Sequence, residues 1–530
     1  MSRRGTYDLN VNHQLRNLSS ITERENEEEF TVTWKRWLVL AIVSLLNMSV
    51  AMIWLCFSPV AYKAVSYYGT SLIVINTLSL IFMIVAIPMG FIVMWVMEKY
   101  GLRVCILLCG WFGCIGSLLR ICSTIEGLSD DERLVFVFIG QIIAALGSPF
   151  GLYTPAKLAG YWFPESQRTI ANTIAASSNP VGVILVGLIS PLFMFEDGYY
   201  HMQLMLIVYA APITVGAILA SIFITSDGPQ HPPSYGGTVK KTEKIWGGFK
   251  EILRNSMFML LAICLGTGIG LYASFATLLE QVLCPWGYTD QMAGVSASVL
   301  TASGIVGAII ISTVVDKTKK FTEALKSVYF LTALGVILLS FTHYIYMGYG
   351  IVGEVALIGF FAFTIYPVGA EIAAECTYPI GTGLSTGIIQ LSGQLQSVVL
   401  ILVLSVIGQP MEPEQVIENN SQCHHNSTID EQTGGDDNTY DMRISVWVCA
   451  GLMTFTSLIL TIFFRPKYLR MEAEKEHNNA MYMRRKSHIP GLANGYANGG
   501  LEAEDGTDSI TTEKDGSIST IPEEYHITPC

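Results

Sequence analysis

Between Trp37 and Phe464 the chain alternates long apolar runs with short polar breaks. A helix needs about 20 apolar residues to cross the hydrocarbon core of a bilayer, and twelve runs meet that length. They cover residues 36–61, 71–97, 104–123, 133–160, 168–194, 202–225, 257–283, 292–315, 322–345, 349–375, 383–408 and 443–464. The pattern predicts an all-α membrane protein of twelve transmembrane helices. Residues 226–256, rich in Pro and Gly and then basic, divide six runs from six. The expected organisation is a polar tail over 1–34, a six-helix half over 35–225, a linker over 226–256, a second half over 257–465 with an acidic loop at 409–442, and a tail over 466–530. The last segment mixes Gly, Asn, Ser and acids with little apolar periodicity and is expected to be disordered. The run ENEEEF in the first tail argues against a cleaved leader, so the first helix is expected to direct insertion itself.

Composition agrees with this solvent. The chain is 51% hydrophobic and 14% charged, with mean hydropathy +0.45, whereas a soluble domain carries roughly a quarter charged residues. The net charge of -12 is local. Residues 409–442 hold eight acids and no Lys or Arg. With no concentrated basic stripe, nucleic acid is not an expected partner. The expected partners are the bilayer and a small-molecule substrate, and the chain is expected to act as a monomer.

Sidedness follows from Lys and Arg, which concentrate on the cytoplasmic side. The tails and even-numbered breaks hold Arg36, Lys99, Arg103, Lys240, Lys241, Lys317, Lys319, Lys320 and Arg465, while the other side offers little beyond Lys63, Arg133 and Arg443. Both tails are therefore expected in the cytoplasm, and the plasma membrane is preferred to an organelle. The sequons at Asn419 and Asn426 fall in the acidic loop, outside or in a lumen, where glycosylation can reach them. Cys122, Cys284 and Cys423 fall near that same face, where a disulfide could join two of them. Most other cysteines lie in apolar runs and serve as small hydrophobes.

The two halves repeat. Glu98-Lys99-Tyr100-Gly101-Leu102-Arg103 ends the second run and Asp316-Lys317-Thr318-Lys319-Lys320 the eighth, an offset of 218, while Pro164 and Pro379 share an offset of 215. Repeated halves with a site at their interface are a transporter architecture. The acid-plus-basic turns either latch the cytoplasmic side, through Glu98, Arg103, Asp316 and Lys317, or simply supply positive-inside charge. Glu371 and Glu375, one turn apart in the tenth run, are expected to pair with Lys157 of the fourth across the halves, with a proton relay as the alternative to a structural ion pair. The offset also carries Trp54 onto Leu271 and Tyr272, so an aromatic from each half could wall a cage for a cation; lipid-facing or core positions are the plainer alternative. Asn47, Gln141, Ser148, Asn179, Glu280, Gln281, Gln390 and Gln394 are polar within spans, where such groups either meet a substrate or join helices. There is no nucleotide-binding run, no hydrolase or metal-site spacing, and no cofactor or enzyme activity is expected.

The stretches WLVLAIVSLLNMSVAMIWLCFSPV, MEKYGLR, SPFGLYTPAKLAGYWFPESQRTIAN, ICLGTGIGLYASFATLLEQVLC and ECTYPIGTGLSTGIIQLSGQ resemble the feline leukaemia virus subgroup C receptor-related transporters, solute carrier family 49. The resemblance runs over about residues 35–465. It implies a major facilitator superfamily fold with two pseudo-symmetric six-helix halves, and transport of an organic cation such as choline or ethanolamine. The choline cage of that family is matched here by Trp54 and Gln394. Its seventh-helix tyrosine aligns with Ala273, leaving Tyr272 about 100 degrees round the helix; a fourth-helix glutamine becomes Ser148, and an asparagine becomes Glu280. Asn179 joins these as a candidate contact. Haem or porphyrin export, and a receptor or scaffold that transports nothing, are the alternatives.

Overall fold

Lipid tails cannot hydrogen-bond to a peptide group, so a chain that crosses a bilayer satisfies its backbone within helices. The computed structural model describes residues 34–193, 201–229, 245–342, 347–378, 382–411 and 440–466, with 380, 415, 468, 469 and 471 besides. Among the described residues twelve helices are long and apolar enough to cross: Lys35–Tyr68, Leu72–Lys99, Leu102–Cys122, Asp130–Trp162, Ile170–Phe193, Met202–Phe223, Ser256–Trp286, Asp290–Val315, Phe321–Thr342, Gly350–Thr377, Gly383–Ile407 and Arg443–Phe463. We call them the first to twelfth spans. The ends at which the first span begins and the twelfth finishes are proximal, and the opposite ends distal.

Most spans start and stop within a few residues of the sequence pattern. The first runs on to Tyr68 because it is broken: helix Lys35–Leu55 gives way to a tight turn over Ser58–Val60 and then to helix Ala61–Tyr68. Pro59 in that turn has no N–H to donate, which ends the regular ladder. Gly69, at φ 59, closes the short helix with a left-handed cap that favours glycine. The tenth span divides into Gly350–Ala362 and Ile365–Thr377. There Pro367 cannot bond back to the Phe363 carbonyl. A proximal helix, Ile245–Arg254, precedes the seventh span, and a two-residue antiparallel ladder pairs Gln409–Pro410 with Tyr440–Asp441 at the distal end.

Each half has its own apolar interior. One cluster, including Val43, Leu46, Ile106, Phe150 and Leu206, is built from the first six spans, with Ala276 reaching in from the seventh. Two others, around Leu265 and Tyr329 and around Trp286 and Tyr288, fill the second half. The halves meet where the second span packs on the eleventh and the fifth on the eighth. Small residues make the close approaches, since helices in lipid associate by packing rather than by escaping water. At the fifth–eighth contact Gly187 and Gly294 face each other backbone to backbone, and a Cβ on either would meet the other's carbonyl.

The third and fourth spans cross in the same way. A Cβ at Gly116 would lie 2.5 Å from the Gly140 carbonyl and 2.6 Å from the Ala144 nitrogen, backbone atoms that move only if the helices part. We expect Gly116→Val to cost on the order of 1–3 kcal/mol, measured as a lower unfolding temperature of the purified protein in detergent. Gly353→Val, at a position with no atom within 4 Å of its Cβ, should leave that temperature unchanged.

Candidate functional site

The break in the first span frees carbonyls that the helix would otherwise satisfy. Two neighbours supply donors: Arg120 Nη1 reaches the Ile53 carbonyl at 3.4 Å and Ser190 Oγ the Cys56 carbonyl at 2.9 Å. Arg120 is 1% exposed. Its guanidinium also bonds to Cys56 Sγ and stands 5.0 Å over the Phe57 ring, and among the described residues no carboxylate pairs with it. Ser190 in turn shares a 2.6 Å hydrogen bond with Tyr209. The third, fifth and sixth spans thus fix the turn that follows Trp54.

On its other side that turn meets the second half. Ser58 Oγ lies 2.7 Å from the Ala276 carbonyl and 2.8 Å from that of Thr277. Asn76 and Gln281 exchange two amide bonds, of 3.1 and 2.7 Å, and Asn76 also donates to Ser405 Oγ at 3.3 Å. Lys63 pairs with Asp290 at 2.6 Å, and Ser298 Oγ donates to the Ile184 carbonyl at 2.9 Å. Each of these links lies toward the distal ends of the spans, where they form a polar seam between the halves. Glu280 is buried within the seam, 2% exposed, and neither carboxylate oxygen holds a hydrogen bond of ordinary geometry.

Trp54 lies one turn on the proximal side of Ser58. It is half-buried, its carbonyl accepts from Ser79 Oγ at 3.4 Å, and its indole N–H is enclosed with no partner. Gln394 is half-buried in the eleventh span, one turn from Gln390, which is within hydrogen-bonding reach of the Tyr366 hydroxyl of the tenth. Tyr153 of the fourth span stands near Tyr366 and against Gly90 and Gly387. Aromatic and amide groups from both halves are thereby gathered between the second, fourth, tenth and eleventh spans. Such a set offers ring faces to a cation and donors to an accepting solute.

Other expected contacts are engaged elsewhere. Tyr272 turns into the second half, its ring 5.5 Å from Phe363 edge to face and its hydroxyl 3.2 Å from Thr301 Oγ1. It lines an apolar pocket there with Leu300, Val336, Ile358 and Met453. Asn179 donates to the Asn47 carbonyl at 3.3 Å, and Asn47 to the Ala175 carbonyl at 3.3 Å, so these amides bind the first span to the fifth. Ser148 is buried in the fourth span.

The proximal ends correct the expected pairings. Lys157 does not meet Glu371 or Glu375: its ammonium donates to the Met97 carbonyl at 2.7 Å, within its own half. Glu371 is exposed, and Glu375 accepts from the Met471 N–H at 3.1 Å. Glu98 and Arg103 are exposed and form no ion pair with each other. The acid that closes this corner is Asp227, whose Oδ1 accepts the Arg103 N–H at 2.8 Å and whose carbonyl accepts from Trp162 Nε1 at 3.0 Å. The Asp316 side chain lies outside the described residues, and Lys317 is exposed. At the distal end Cys284 is disulfide-bonded and Cys122 keeps a free thiol. Cys423, Asn419 and Asn426 lie outside the described residues.

Two packed six-helix halves, a polar seam at one end and amphipathic groups between them define a transporter of the major facilitator class, and comparison with known proteins agrees. Residues 40–400 match the Major Facilitator Superfamily. The chain is 36% identical over 454 residues to Solute carrier family 49 member A3 of Xenopus tropicalis, a match covering 85% of this chain and 91% of that protein. It is 33% identical over 453 residues to the Danio rerio protein of the same name, covering 85% and 92%. The chain belongs to solute carrier family 49. It is also 26% identical over 383 residues to the human Choline/ethanolamine transporter FLVCR2, covering 70% of this chain and 72% of that one. In fold it is similar to a bacterial homolog of the lysosomal transporter Spinster, solved inward-facing and unoccupied, with TM-score 0.59, 14% identity, and 81% and 98% of the two chains covered.

Sequence reasoning marked Gln281 but missed its partner Asn76, along with Arg120, Tyr153, Tyr366 and Asp227. Asn76 and Arg120 were legible as polar residues in apolar runs. The tyrosines carried no signal beyond ordinary aromatic content. For the Asn76–Gln281 pair we expect either single change to Ala to cost about 1–3 kcal/mol, the penalty of an unpaired buried amide. The double change should cost less than the sum, with a coupling of roughly 0.6–1.7 kcal/mol in a double-mutant cycle of unfolding.

Proposed function

We propose that this protein carries a small organic solute across the membrane by alternating access, by facilitated diffusion or secondary coupling, and that the solute is an organic cation of the choline or ethanolamine type. In this reading the distal seam is a closed outer door, the two halves rock about the second–eleventh and fifth–eighth contacts, and the site lies between Trp54 and Gln394. The observation that carries the reading is Trp54 itself: a half-buried indole with an unpartnered N–H, set one turn beneath the seam at a break in the first span. Tyr153, Tyr366 and Gln390 complete the proposed walls, and relatives named as choline/ethanolamine transporters support the solute class.

The same reading puts the proximal ends in the cytoplasm. Lys99, Arg103, Lys250, Arg254, Lys317, Lys319, Lys320 and Arg465 cluster there, which is the charge bias that sets orientation. The distal ends and the acidic loop then face the outside of the cell, with the plasma membrane as the site of action.

Uptake of isotopically labelled choline and ethanolamine, in cells with and without the protein, tests this directly. A cation–π contact in a desolvated site contributes about 2 kcal/mol, so Trp54→Ala should raise the half-saturation concentration roughly tenfold or more, and Trp54→Phe by less. Gln394→Ala should also weaken uptake. If neither flux changed on removing the protein while another solute shifted in an untargeted metabolite survey, the cation assignment would fall.

A further inference from the structure

The seam encloses more negative than positive charge. Three ionisable groups gather where the first, seventh and eighth spans meet: Lys63, Asp290 and Glu280. Lys63 and Asp290 form the 2.6 Å ion pair. Asp290 is also the first residue of helix Asp290–Thr318, where the aligned peptide dipoles favour an anion. Glu280 has neither advantage. Among the described residues the groups that face it are the Asp290 carboxylate, the Tyr62 backbone N–H and the Lys63 ammonium already engaged by Asp290. The Tyr62 side chain lies beside it and beside Tyr440 of the distal ladder. Arg443, over the Trp286 ring at 5.0 Å, is neutralised by Asp441 at 2.6 Å. From the second span Asn76 bonds to Gln281, and from the eleventh Ser405 accepts from Asn76; neither carries a charge.

An ionised carboxylate so enclosed, 2% exposed and with neither oxygen in a hydrogen bond of ordinary geometry, has exchanged its hydration for little more than the Tyr62 N–H that faces it. Charge burial of that kind is relieved by neutralisation. Among the described residues two carboxylates face one ammonium, an excess of one negative charge that a single proton removes. A metal cation is a poorer fit, because hard cations take six or more oxygen ligands, whereas an N–H and an ammonium point at Glu280. Among the described residues no group of side chains could hold a metal ion.

We propose that Glu280 is a proton-binding site built into the distal door: the seam closes over it with a proton taken from the distal solution, and opening returns that proton as water reaches the carboxylate. The first-span helix Ala61–Tyr68 brings Lys63 and the Tyr62 N–H with it when the door shuts, so the pocket that demands the proton exists only in the closed state. Acid on the distal side then favours the closed door. This rests on the alternating-access reading above.

The test uses the full chain in lipid nanodiscs with spin labels at Ile125 and Tyr349, which are 53% and 83% exposed at the distal ends of opposite halves. Distance distributions are recorded from pH 5.5 to 8.5. In the wild type a longer, open population should grow with pH, its ratio to the short one rising at most tenfold per unit, as linkage to one proton requires. Glu280→Gln, permanently neutral, should keep the short distance throughout. Asp290→Asn leaves Lys63 to pair with Glu280, so closure no longer needs the proton and the short distance should persist to higher pH. A Glu280→Gln profile that follows pH like the wild type overturns the proposal, as does an open fraction set by sodium at fixed pH. An open population that appears but ignores pH also overturns it while leaving alternating access intact. A distance that never changes sinks both.

Discussion

A polar side chain within a bilayer must find its partner in the protein, and the arrangement of this chain follows from where those partners are. Asn76 with Gln281, Lys63 with Asp290, and Ser58 with the Ala276 and Thr277 carbonyls are satisfied across the two halves rather than within them. Arg120 and Ser190 are spent on carbonyls that the break at Ser58–Val60 set free. Both sets converge on the same short stretch of the first span. The turn that opens the helix beside Trp54 is therefore also the turn on which the distal seam is assembled.

The balance of forces differs between the interior of each half and the seam. Inside a half, apolar clusters and backbone-to-backbone crossings such as Gly116–Gly140 leave no room for rearrangement. Apart from the Gly187–Gly294 crossing, the seam among the described residues consists of a few hydrogen bonds and one ion pair, and hydrogen bonds between helices in lipid average about 0.6 kcal/mol each. Water can replace them when the halves part. A rigid bundle on either side of a weak polar contact is the construction that lets two states lie within a few kcal/mol of each other, so that a ligand preferring one state can shift the population.

The fold was legible in the sequence because a bilayer reduces the choice of structure to apolar helices of sufficient length, and twelve such runs are plain in this chain. The breaks were less so: Pro59 and Pro367 accompany them, but Pro88, Pro149 and Pro180 sit inside unbroken helices, and the extension of the first span to Tyr68 depended on a short helix with apolar and polar residues mixed. The site was legible in part. Trp54 and Gln394 are half-buried, Trp54 against the core of the first half, while Tyr272, one residue from Ala273, turns about 100 degrees away and meets Phe363 edge to face. Single-residue phase on a helix is below what an offset between repeats can resolve. Lys157 and Glu375 found backbone partners, a carbonyl for the one and an N–H for the other, which no charge pattern reveals, because the main chain offers such groups at nearly every position.

If the seam is one of two doors, holding it shut must stop the cycle without harming the fold. Cysteines at Asn76 and Gln281, whose side chains exchange hydrogen bonds of 2.7 and 3.1 Å across the halves, can be joined by a short, reducible cross-linker in intact cells. Uptake of labelled choline and ethanolamine would be followed before joining, after it and after reduction. Uptake should fall to background when the pair is joined and return when the link is cut. Uptake that continues at its original rate with the pair fully cross-linked would contradict the seam's role as a door.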